Sequence, residues 1–184
     1  MFEQLINILK NDKSNWNRFR EMMTEKEISP RTILLKEGEI ANKVYFIKKG
    51  CLRMWFNKDG KDVTFQFFFE NQPVASIESF LSNQPSIFNI ESIEHSTVFS
   101  LSKENFDLLN KVYPKFKDGF QEFLFQRLRN YSILFLSRIK DSPAERYKDL
   151  INNHPEIIRR VPQHYIASYL GITPISLSRI RNKK

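Results

Sequence analysis

The residues best suited to do chemistry lie near the end of the chain, in the segment QHYIASYLGITPISLSRIR over 163–181. Ile166, Ala167 and Leu170 read as the inner face of a short helix, and Ala167 is small enough for close helix–helix approach. Gly171 supplies a positive-φ turn, and Ile172 points back into the core. Thr173 caps a second helix whose first position is Pro174, and whose inner face is Leu177 and Ile180. Helix, glycine turn, capped helix at this spacing predicts a helix-turn-helix. It leaves Pro174, Ile175, Ser178, Arg179 and Arg181 facing outward. In such motifs the start of the second helix enters the DNA major groove. Arg179 could donate two parallel hydrogen bonds to guanine O6 and N7. Thr173, Ser176 and the free amides at the helix start could hold a phosphate. Gln163 and His164, at the start of the first helix, complete the DNA-facing candidates, and Arg181, Lys183 and Lys184 add counterion-releasing charge. The competing reading is an ordinary helical hairpin closing a domain.

Charge distribution separates these readings. The 184 residues carry 29 Lys+Arg and 21 Asp+Glu, a formal net charge of +8. Residues 1–110 hold 14 basic against 15 acidic side chains, and residues 111–184 hold 15 against 6. The whole excess therefore lies in the last two fifths, which predicts two modules with different partners and favours DNA over a plain hairpin.

The elements that must carry this module read as follows. Phe2, Leu5, Ile6 and Leu9 have helical spacing over 2–10, and a second helix is predicted at 14–23, with Trp16, Phe19 and Met23 on one face, before Pro30 breaks the pattern. The period then changes to two. Strands are predicted at 33–36, 44–48, 51–57, 61–69, 87–93 and 97–101, with a hairpin turn at Lys58-Asp59-Gly60 and further turns at Gly38 and Gly50. Leu52, Met54 and Phe56 alternate with Cys51, Arg53 and Trp55, and Val63, Phe65, Phe67 and Phe69 are expected on one face. Residues 70–85 form a helical or looped excursion. Such strands suggest a small β roll, with an interior either holding one small ligand or filled by the chain's 17 Phe.

A helix capped by Ser102 is predicted over 103–112, followed after Pro114 by a long helix from about 115 to 140, about 39 Å at 1.5 Å per residue. Its apolar set is too wide for a helix facing only its own domain, which points to a second copy of the chain on the other side. A sub-series at 120, 124, 131, 134 and 138 fits a coiled-coil seam, apart from Arg at 138. Asp141-Ser142-Pro143 starts another helix, running to about 152.

Other classes fall away. One cysteine, Cys51, cannot make an internal disulfide framework, an iron–sulfur cluster or a multi-cysteine zinc site, and fits a reducing compartment. No window of 18 apolar residues exists and the N-terminus lacks a signal-peptide pattern, so a cytoplasmic protein without a membrane partner is expected. His95 is isolated, no nucleophile–base set can be read, and no glycine-rich phosphate loop is present, so the chain is not expected to be an enzyme.

Taken together, IASYLGITPISLSRIR, the Gly38, Gly50 and Asp59-Gly60 turns, and the order of elements resemble the CRP/FNR family of bacterial transcription regulators. The resemblance implies an α+β fold: a double-stranded, jelly-roll-like β roll of the cyclic-nucleotide-binding type (residues 1–112), a long dimerisation helix (113–140), and a small helix-turn-helix domain (141–184) without a long wing. It implies a homodimer on a near-palindromic duplex, with RNA polymerase a further candidate partner. The pairs that clasp cyclic AMP in some members align with Ala75-Ser76 and with Ser86-Ile87, where neither the Glu nor the Arg is present. A cyclic phosphate without Arg loses its main charge-assisted bonds, so cyclic AMP is not expected to bind tightly. Ala75, Ser76, Ile77, Glu78, Ser86 and Ile87 are left as the candidate pocket for an unidentified small-molecule effector, with no other cofactor implied. Ile175 stands where relatives usually carry Glu. The alternative function is a small-molecule sensor whose C-terminal helices contact a protein instead of DNA.

Overall fold

The computed structural model describes residues 20–182. The predicted helix at 2–10, most of the one at 14–23, and Lys183 and Lys184 lie outside the described residues. Eight strands run β1 (Met23–Ile28), β2 (Ile33–Leu35), β3 (Lys43–Lys49), β4 (Leu52–Lys58), β5 (Lys61–Phe68), β6 (Pro73–Val74), β7 (Asn89–Ser92) and β8 (Ser96–Ser102), with a short helix α1 (Ile77–Ser82) between β6 and β7. They form two four-stranded antiparallel sheets, ordered β1-β8-β3-β6 and β2-β7-β4-β5. The β4–β5 turn is tight because Asp59 and Gly60 both take positive φ, 52° and 77°, matching the right-handed strand twist.

The sequence reading missed β1. Met23 begins this strand and is not the end of a helix. Its segment MTEKEI exposes four consecutive polar residues, because it pairs only with β8 at the edge of its sheet. Charged residues suit such an edge, since they discourage pairing with other chains.

Between the sheets the interior is filled. Leu52, Met54, Phe68, Ile90, Val98 and Leu101 are all at or below 1% exposure in one continuous apolar cluster. The predicted single face of β5 needs correction. Met54 pairs with Gln66 and Trp55 with Thr64, so Phe65 is an extra residue in a bulge. Phe65 consequently packs against Phe56 and Phe88 beside the roll core, whereas Phe67 and Phe69 emerge on the opposite surface.

That opposite surface carries the C-terminal helices. After α2 (Lys103–Val112) and the long α3 (Pro114–Lys140) come α4 (Pro143–Asn153), α5 (Pro155–Arg160), α6 (Gln163–Leu170) and α7 (Pro174–Asn182). Ser102 accepts from the Asn105 amide to start α2, and Ser142 with Glu145 forms a reciprocal capping box at α4. A second core joins Cys51, Phe67 and Phe69 of the roll to Tyr147, Leu150, Ile157, Val161, Ile166, Ala167, Leu170 and Leu177.

The faces of α3 also differ from the predicted seam. Phe116 and Phe120 pack edge-on against Phe106 of α2, with ring centroids 5.5 and 4.7 Å away. Leu134 and Arg138 line a cavity shared with α4–α6. The 120/124/131/134/138 series is therefore largely the side that covers this chain's own modules. The uncovered row is Phe125 (73% exposed), Leu128 (64%), Ser132, Phe135 (66%) and Ile139 (67%). Its alternating spacing of three and four is that of a coiled-coil seam.

Candidate nucleic-acid interface

The turn between α6 and α7 is built by local chemistry. Gly171 sits at φ +71°, where an L side chain is strained, and its amide donates to Ser168 O at 2.9 Å. Ile172 N donates to Ala167 O at 3.0 Å, closing the end of α6. Thr173 Oγ1 accepts from Ser176 N at 3.1 Å and lies 3.0 Å from the Ser176 hydroxyl. Leu177 is buried and Ile180 half-buried, which anchors α7 against Ile166, Ala167 and Leu170.

With that side anchored, Thr173, Pro174, Ile175, Ser178, Arg179 and Arg181 are all exposed and Ser176 is half-buried. Arg179 and Arg181 make no ion pair among the described residues, whereas Arg53 and Arg160 each engage two carboxylates. Gln163 and His164 are exposed at the start of α6, and the His164 ring lies 4.0 Å from that of Tyr165. The arrangement presents two unengaged guanidinium groups, several hydroxyls and a helix start on one small surface. That combination can donate to base edges and phosphate oxygens.

Sequence reasoning missed the residues that hold this module to the roll. The open edge of β5 is capped by α6: Thr64 N donates to Ser168 Oγ at 2.9 Å, and Ser168 Oγ donates to Asp62 O at 2.8 Å. The Arg53 guanidinium donates to Glu91 Oε2 through Nε (2.9 Å) and Nη2 (2.6 Å), to Asp62 Oδ2 (2.8 Å), and to Thr64 Oγ1 (3.0 Å). Its planar face lies 3.8 Å from the Tyr165 ring centroid and 4.8 Å from that of Trp55. Arg160 donates both terminal nitrogens to Glu70, each at 2.8 Å, and one of them also to Glu94. These bonds, with that from Gly50 N, hold the Glu70 carboxyl at about 2, well below the usual carboxylate range. The only signal in the sequence was the alternation of Arg53 with the inward residues of β4; Thr64 and Ser168 are 104 positions apart.

The candidate effector residues do not converge on one cavity. Ser76 and Ser86 are buried together, with their hydroxyl oxygens 3.0 Å apart and Ser86 Oγ 2.8 Å from Phe88 O. Ala75 and Ile77 line a small apolar cavity of about 50 Å³ with Phe80, Phe106 and Phe120. Glu78 and Ile87 are exposed. Among the described residues no guanidinium donates to Ser76 or Ser86, whose hydroxyls are bonded to each other.

A β roll, a long helix and a helix-turn-helix in this order define the architecture of the CRP/FNR regulators, and the chain has that fold over nearly its full length. Residues 25–111 match the family model of the cyclic nucleotide-binding domain. Among solved structures, the chain is similar to the c-di-GMP-responsive global regulator CLP of Xanthomonas campestris, at 15% identity and a TM-score of 0.75, covering 94% of this chain and 91% of that one. FixK2 of Bradyrhizobium japonicum is similar at 18% identity and a TM-score of 0.74, covering 88% and 83%. The catabolite activator protein of Thermus thermophilus is similar at 15% identity and a TM-score of 0.57, covering 90% and 79%. No curated protein sequence is significantly similar to this chain. Among the described residues no helix is long and apolar enough to cross a membrane.

Proposed function

We propose that the chain is a cytoplasmic, homodimeric, DNA-binding transcription regulator that does not respond to cyclic AMP. The observation that carries this reading is the exposed face of α7, where Arg179 and Arg181 stand without a counter-ion among the described residues, beside Ser178, Ile175 and the Thr173 cap. Two copies would join along Phe125, Leu128, Ser132, Phe135 and Ile139, a largely apolar row that is exposed among the described residues. Two-fold pairing of α3 would present two α7 helices to a near-palindromic site. Insensitivity to cyclic AMP follows from the mutually bonded Ser76 and Ser86, which offer the phosphate no cationic partner. In this reading residues 1–112 sense, 113–140 join the copies and 141–184 read DNA, and RNA polymerase is the natural next contact of the bound dimer.

The test is fluorescence anisotropy on duplexes from upstream of the gene itself, paired with sedimentation. The wild-type chain should sediment at twice its 22.0 kDa mass, and Phe135→Glu should halve that. Binding should weaken steeply with salt. Arg179→Ala should cost roughly 1–3 kcal/mol on the preferred duplex and relax discrimination at one position of each half-site. A chain that is monomeric at micromolar concentration, or that binds all duplexes equally before and after Arg179→Ala, overturns the reading.

A further inference from the structure

A cavity of about 580 Å³ lies between α3, the end of β5 and the α4–α5 pair. That is within the size range of small-molecule sites. None of the candidate effector residues lines it. Three arginines do, Arg127 and Arg138 from α3 and Arg146 from α4, and none of them is ion-paired among the described residues.

Each of the three is short of partners in its own way. Arg127 lies with its guanidinium 4.5 Å from the Phe68 ring centroid and 5.3 Å from that of Tyr131. Its Nε and Nη2 are sealed from solvent with no hydrogen-bond partner, and the remaining nitrogen is left to the Tyr131 hydroxyl. Arg146 donates to Asp141 O and Leu170 O, while its buried Nε has no partner. Arg138 donates to Tyr169 O and is close enough to Arg146 for the two charges to repel. Burial disfavours the charged form of both Arg127 and Arg138.

Two acids also line the cavity, Asp149 three residues from Arg146 on α4 and Glu156 on α5, and neither is ion-paired to an arginine among the described residues. Asp149 accepts from Asn153, and Glu156 lies 3.5 Å from His154 Nδ1. Half-buried guanidinium groups without carboxylates are costly unless an anion completes them. Eleven residues of helix separate Arg127 from Arg138, a span of about 16 Å. Arg138 and Arg146 together form the more concentrated cationic end.

We propose that this cavity is a binding site for an organic oxyanion, whose acidic group is held by Arg138 and Arg146 and whose body extends along α3 toward Arg127. Phosphate and carboxylate groups each present two oxygens that the planar fork of a guanidinium can bind in bidentate fashion, and the experiment separates them. The site joins the long helix to the helix-turn-helix module, but its occupancy does not depend on whether that module reads DNA.

The test is isothermal titration calorimetry on the full chain at constant ionic strength without DNA, using pyrophosphate as the phosphate probe and citrate as the carboxylate probe. Saturable, one-site binding of at least one probe is expected. Arg138→Gln and Arg146→Gln should each weaken it at least ten-fold, whereas Arg129→Gln, an exposed arginine outside the cavity, should leave it unchanged. Arg127→Gln provides a second variant at the far end should either of the first two unfold, and there a citrate or pyrophosphate affinity lowered less than by Arg138→Gln is expected. Binding of one probe alone names the acid class. No saturable binding of either probe, or binding that Arg129→Gln weakens as much as Arg138→Gln, overturns the proposal.

Discussion

Two sets of arginines lie where the helix-turn-helix module meets the rest of the chain, and they are treated in opposite ways. Arg53 and Arg160 are each matched by two carboxylates: one meets Glu91 and Asp62, the other Glu70 and Glu94. Arg127, Arg138 and Arg146 meet backbone carbonyls, aromatic faces and a cavity. The first set fixes where the module sits on the roll. The second set ties α3 and α4 to the backbone of α6 through Arg138 and Arg146 but meets no carboxylate, and leaves buried nitrogens of Arg127 and Arg146 without a partner. Charge count alone would have treated all five alike; the difference lies in which arginines the carboxylates reach.

Substitution at Arg53 against Arg127 exposes the contrast most sharply. Arg53→Met removes the counter-ion of Glu91, which is 6% exposed, and should lower unfolding stability by about 3–5 kcal/mol, because a lone buried carboxylate remains. Arg127→Met removes a guanidinium that has no carboxylate and covers the same aromatic surface with an apolar chain. Its effect should lie within about 1 kcal/mol of neutral or be stabilising. Urea unfolding of both variants measures this directly. Similar losses from the two would erase the distinction between the sets.

A smaller effect is expected at the β5 edge. Ser168→Ala leaves the Thr64 amide without its acceptor and should loosen the docked module by about 1 kcal/mol, or roughly five-fold in opening. Cys51 reports on it, being wholly buried in the second core with its thiol pushed up by burial to about 12. A thiol of that kind reacts with a disulfide reagent only when the module lifts. Ser168→Ala should therefore speed labelling of Cys51 at pH 8. An unchanged rate would mean that the Thr64–Ser168 bond does not hold the module.

What could be read from the sequence was what local chemistry decides. Ser102, Ser142 and Thr173 cap helices, and Asp59-Gly60 and Gly171 make positive-φ turns, because each depends on neighbours within four residues. The outward residues of α7 followed from the same spacing. The positions of Ser76 and Ser86 came only from family resemblance, and their mutual bond could not be foreseen. β1 was hidden because an edge strand needs few apolar residues. The Phe65 bulge inverted a face that strict alternation had assigned. The exposed row on α3 is not the series that spacing offered because both sides of that helix are apolar, and the packing of Phe120, Leu134 and Arg138 against their own chain shows which side is covered. Junction pairs such as Thr64 with Ser168 depend on tertiary docking, which spacing does not encode.

The weakest expected effect tests the matched set by pH. Glu70 is held at about 2 by Arg160, against an ordinary value of 4.5 in the unfolded chain. A depressed carboxyl stabilises the fold fully above the unfolded value, and this contribution fades as pH falls from about 4.5 toward 2. The pair is about one-third exposed, so solvent and salt reduce it to at most about 1 kcal/mol. Arg160→Gln should accordingly lose most stability relative to wild type at pH 6, and the gap should narrow by pH 3. High salt should narrow it at pH 6 as well. A gap that stays constant from pH 6 to pH 3 would show that Arg160 acts through its packing on Phe69, 5.0 Å from the ring centroid, and not through its charge.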